Sequence, residues 1–151
     1  MRQFIGAFAL LALAVPVSRA DEKDDAAKKL NGTYEVVSIF VGGKLDDSKK
    51  DELKSFVIKD GTLTVKTGKR DEEAKFTVDP SKKPAQMDIT AGKDGKETAL
   101  GIYETKETDK GLELTIAFVK GDPNATRPKD FKGEGKEEIV FKLLRKKDKD
   151  K

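Results

Sequence analysis

Between Leu30 and Arg145 the chain is cut roughly every ten residues by turn chemistry, and the stretches between the cuts are short, alternating and rich in Val, Ile, Thr, Phe and Tyr. Successive side chains of a strand point to opposite faces, so a period of two gives each run one face to bury. That confines the fold to an all-β sandwich or barrel. Eight runs qualify. The first, Thr33 to Val41, ends at Gly42-Gly43. Phe56 to Lys59 and Thr62 to Thr67 flank Asp60-Gly61, a hairpin signal because a type I′ turn needs positive φ at both central positions. Ala74 to Val78 sets Ala74, Phe76 and Val78 against Lys75 and Thr77, before Pro80 and Pro84 interrupt. Gln86 to Thr90 carries Met87 and Ile89 on one face, and Thr98 to Glu104 follows the turn Lys93-Asp94-Gly95. Leu112 to Val119 aligns Leu112, Leu114, Ile116 and Phe118, and after a long loop, Lys120 to Lys136, the last run, Glu138 to Leu144, aligns Ile139, Phe141 and Leu143.

Helical signals are few. Ser48-x-x-Asp51 fits a capping box and predicts a short helix from Ser48 to Lys54, between the first and second strands. Strands joined mainly by short turns form an antiparallel meander, and eight of them can close on themselves. Closure removes the exposed edges of a flat sheet, so an eight-stranded up-and-down barrel is preferred over a sandwich.

Residues 1–20, MRQFIGAFALLALAVPVSRA, read as a cleaved signal peptide: Arg2 is the positive start, Phe4 to Val17 the apolar run, and Ser18-Arg19-Ala20 the cleavage signal. The run is too short for a membrane helix and is broken by Pro16, so no stable membrane span is expected after cleavage. An extracytoplasmic protein, periplasmic or secreted, is the expectation. Asp21 to Lys29 (DEKDDAAKK) reads as a charged mobile leader, residues 30–145 as one domain, and Lys146 to Lys151 as a charged tail. The 31 basic residues include Arg2 and Arg19, so cleavage leaves 29 against 28 acids and a net charge of about +1. Such a balanced surface gives no electrostatic footprint for nucleic acid, and none is expected as a partner.

The chain contains neither Cys nor His. Without thiolate or imidazole, the usual ligands of zinc, copper, haem and iron–sulfur centres are missing, and so are the usual nucleophilic triads. No cofactor and no metal is expected, and no catalytic residue stands out. Asp46, Asp47, Asp51 and Glu52 form the densest acidic cluster, but the spacing differs from a calcium loop and Lys44, Lys49, Lys50 and Lys54 interleave with it, so a solvated helix face is preferred.

Five strings in order resemble an uncharacterised lipocalin-like domain family expanded in planctomycete bacteria: Leu30-Asn31-Gly32-Thr33-Tyr34-Glu35-Val36-Val37-Ser38, Asp79 to Pro84 with Met87-Asp88-Ile89-Thr90, Leu100-Gly101-Ile102-Tyr103-Glu104, Leu112 to Phe118, and Arg127-Pro128-Lys129-Asp130-Phe131. The family usually has Trp where this chain has Tyr34, and often Cys where it has Ala117. The resemblance spans about Leu30 to Arg145 and implies an exported β-barrel without an established activity, so it transfers no catalytic residues.

Lipocalin-like barrels commonly stack a basic residue of the last strand over the first-strand aromatic. This implies structural closure by Gly32, Tyr34 and Arg145. Eight-stranded barrels are at the size where side chains either fill the interior or leave room for one small ligand. The expected function is therefore a non-catalytic binding module for a small apolar or amphipathic ligand. The candidate ligand-binding residues are inward-facing Phe76, Ile116, Phe118 and Phe141, with Arg127 and Phe131 at the mouth. A plainer reading folds Phe131 inward as a plug and pairs Arg127 with a carboxylate. The alternative function is an interaction domain of the cell envelope, meeting a protein or polysaccharide through the outer face or the long loop.

Overall fold

In the computed structural model, which describes residues 19–92, 94–119 and 124–147, Asp60 and Gly61 take φ of 47° and 79° and fold β3 (Leu53–Lys59) back onto β4 (Thr62–Thr67). Further strands follow in a meander: β5 (Asp71–Asp79), β6 (Ala85–Ala91), β7 (Glu97–Thr108), β8 (Gly111–Val119) and β9 (Glu138–Lys146). Each pairs antiparallel with its predecessor. β1 (Gly32–Val41) pairs with β3 on one side and β9 on the other, which closes an eight-stranded barrel as the alternation predicts. A two-residue strand, β2 (Lys44–Leu45), folds back on the end of β1 and lies outside the ring of eight.

The closure is uneven. β1 meets β9 over six residue pairs but β3 over three, Gly32 to Tyr34. A bulge between Val36 and Ser38 then bends β1, and the short helix α2 (Asp47–Glu52) contacts both β1 and β3. This helix lies between the first two barrel strands, as expected, with a different start. Asp46 is the N-cap, its carboxylate accepting from the Lys49 backbone N–H at 3.1 Å and from the Ser48 hydroxyl at 2.7 Å, while Leu53 and Lys54 already belong to β3.

The N-terminal expectation needs a larger correction. Asp21 to Lys29, read as a charged leader, belongs to a helix, α1 (Arg19–Lys29), that packs Ala26 and Ala27 against the barrel core and contacts β5. Acids in its first turn and lysines in its last favour the helix dipole. Residues 1–18 of the expected signal peptide and 148–151 of the expected tail lie outside the described residues. Lys146 extends β9 and pairs with Glu35 at 2.7 Å.

The interior is packed at the α1 end, where Leu30, Tyr34, Ile58, Met87, Leu114 and Leu143 are each at most 2% exposed. A second apolar cluster lies outside the barrel. Ile102, Ala117, Val140 and Phe40 sit side by side across β7, β8, β9 and β1, and Phe131 covers them. That cover explains why Ala117 is fully buried although it faces outward.

Candidate functional site

One end of the barrel is shut by side chains. Tyr34 is fully buried and its hydroxyl donates to the Leu30 carbonyl at 2.8 Å. Arg145, at the end of β9, places its guanidinium carbon 5.8 Å from the Tyr34 ring centroid and donates to the Lys29 carbonyl at 3.1 Å and to the Asn31 carbonyl. Gly32 lies where the Arg145 stem crosses β1: its φ is 146°, and a Cβ there would collide with Arg145 Cδ. Burial raises the Tyr34 pKa, while the Arg145 charge and its hydrogen bond act more weakly in the opposite direction. Arg145 thus meets both of the other residues named for closure of the base.

The other end is open. Residues directly opposite one another in an antiparallel pair share a face, so the register assigns each inward row. Near this end β5, β6 and β7 turn small residues inward, with Ala74 opposite Ala91 and Ile89 opposite Ala99. Across the barrel the wall is aromatic: Phe141 lies 5.1 Å from Phe56 and 5.5 Å from Phe118, ring centroid to ring centroid. Three alanines facing three phenylalanines do not fill the space between them. The result is a cavity of about 560 Å³, within the range typical of small-molecule sites, whose walls also include Leu53, Leu63, Val65 and Ile139. Val65, Ile89, Phe118, Ile139 and Phe141 are only partly buried.

Of the residues expected to face a ligand, Ile116, Phe118 and Phe141 line this cavity. Phe76 faces inward but lies among the packed side chains of the core, 6% exposed, and does not line it. Arg127 and Phe131 belong to neither the mouth nor the interior. Phe131 packs on the outer face against the Ile102, Ala117 and Val140 cluster, which corrects both the mouth reading and the inward-plug reading. Arg127 donates from Nη1 to Asp88 Oδ1 at 2.5 Å and to the Gly101 carbonyl at 2.6 Å, latching its loop to β6 and β7. The carboxylate pairing of the plainer reading is therefore the one observed.

Sequence reasoning missed Phe56 and two acids at the mouth. Glu72 lies opposite inward-facing Val65, and Glu97 opposite Ala91, so both stand in inward rows. Extending the alternation of Ala74, Phe76 and Val78 back by one step, through Glu72, would have found the first. Among the described residues no group of Asp and Glu is placed to hold a metal ion, and no helix is long and apolar enough to cross a membrane. No protein-family model, curated protein or solved structure matches the chain.

Proposed function

We propose that the protein is an exported, non-catalytic, lipocalin-like binding module that holds a small apolar or amphipathic molecule in the open end of its barrel. The observation that carries this reading is the division of the interior: side chains at most 2% exposed at the α1 end, and a cavity of about 560 Å³ with partly exposed aromatic and aliphatic walls at the other. Leaving such walls wetted costs about 25 cal/mol per Å² of apolar surface, which an apolar ligand would recover. The order of apolar run and small residues within residues 1–20 supports export.

Native mass spectrometry of the protein purified from its own source without delipidation tests the proposal. A retained, non-covalent mass of about a few hundred daltons is expected, the size range such pockets hold. Repeated recovery of empty protein that also fails to take up a fluorescent apolar probe would overturn it.

A further inference from the structure

The charged side chains among the described residues that line the cavity are all acidic. We propose that the ligand is a cationic amphiphile: a compact apolar body bearing an amine or quaternary ammonium group, held at the mouth by Glu97 with help from Glu72. This inference rests on the binding reading and deepens it. Among the described residues the charged side chains that line the cavity are Glu72, Glu73 and Glu97, with no Lys or Arg. Glu72 and Glu97 rise from inward rows, whereas Glu73, opposite Thr64, belongs to the outward row and borders the lip. Arg70, from the turn before β5, already meets Glu72 at 2.9 Å, and both side chains are more than half exposed. Glu97 has no ion pair among the described residues. A ligand cation therefore finds one available carboxylate and a second that it shares with Arg70.

The cavity shape narrows the apolar part. The wall on β5 runs from Glu72 to Ala74, and the next inward residue, Phe76, is already packed core. Two residues of strand advance about 7 Å, so the space is short and broad rather than long. It suits a ring system better than an extended acyl chain. β9 lies four strands from β5 in either direction around the barrel, which sets Phe141 across the cavity from Glu72, with Phe118 beside it. A ring lodged against these two phenylalanines leaves its charged substituent at the acidic lip.

Three naphthyl probes that differ only in head group provide the test: 2-naphthylmethylamine, 2-naphthylmethanol and 2-naphthoate, titrated into the full chain by isothermal calorimetry at low and high salt. The amine should bind about fivefold more tightly than the alcohol, the effect of one or two part-exposed ion pairs, and the carboxylate most weakly. Added salt should shrink the difference between amine and alcohol. In Glu72→Gln/Glu97→Gln the ratio of amine to alcohol affinity should fall to about one, whereas Glu113→Gln, on the outer face of β8, should keep the wild-type ratio. Binding of the alcohol with no preference for the amine overturns the cationic ligand and leaves the binding reading standing. Failure of all three probes to bind overturns both.

Discussion

Tyr34 holds together the base of the barrel through a single hydroxyl and a single ring face. Its hydroxyl is the donor to Leu30, and its ring is the surface on which Arg145 rests. Tyr34→Phe should cost about 1 kcal/mol at neutral pH, read by urea denaturation. Arg145→Ala removes the ring contact and two hydrogen bonds together and should cost about 2 kcal/mol. The same tyrosine makes stability sensitive to alkali. Burial raises its pKa above 10.0, and burial followed by the charge of Asp79 raises that of Tyr103. The native phenols keep protons that the unfolded chain releases, so their contribution is complete below pH 10.0 and is lost as pH rises through the native pKa values. Thermal melts followed by circular dichroism should show the melting temperature dropping above that pH, with a shallower drop in Tyr34→Phe. Asp46 behaves oppositely: the Ser48 hydroxyl, and then the Lys49 N–H, hold its pKa below 3.8, so its contribution to the α2 cap is lost as the solution is acidified past that value.

Strand centres were legible because an alternation of Ile, Leu, Val and Phe against polar residues has one structural solution; the ends were not. β5 and β7 begin with Asp71-Glu72-Glu73 and Glu97, and an acid in an inward row looks like a loop until the register is known. The helix α1 was illegible for a different reason. Its contact with the core is made by Ala26 and Ala27, which carry little hydropathy, and the large side chain that completes the seal, Leu30, comes after the helix ends. Leu30→Ala should therefore cost about 3 kcal/mol in denaturant unfolding, as for other fully buried leucines. The segment from Asn124 to Glu137 gave no periodicity from which to judge whether Phe131 lay inside or out. Its attachment depends on Arg127, and Arg127→Ala should speed proteolytic cleavage of this segment while leaving probe binding in the cavity intact. A loss of binding in that variant would place the loop in the site after all.

For the molecule as a whole, the closed barrel could be read from strand count and turn length, but the cavity in its open half could not. A cavity is the difference between two walls, and only the register shows that Ala74, Ala91 and Ala99 stand across from Phe56, Phe118 and Phe141. Ala99→Trp should occupy that difference. Fluorescent-probe uptake should vanish while the melting temperature stays level or rises, as cavity-filling substitutions commonly do; a variant that still takes up the probe would move the site elsewhere. The pairing of β1 with β9 also has a kinetic consequence. These strands are the first and last of the barrel, so a chain delivered from its N-terminus must wait about 100 residues for the partner that completes the ring. Until then one side of β1 stays unsatisfied, and the chain is open to pairing with a neighbour. Deleting β9 should accordingly yield intermolecular aggregates rather than a smaller soluble barrel, and supplying the missing strand as a peptide in trans should suppress them.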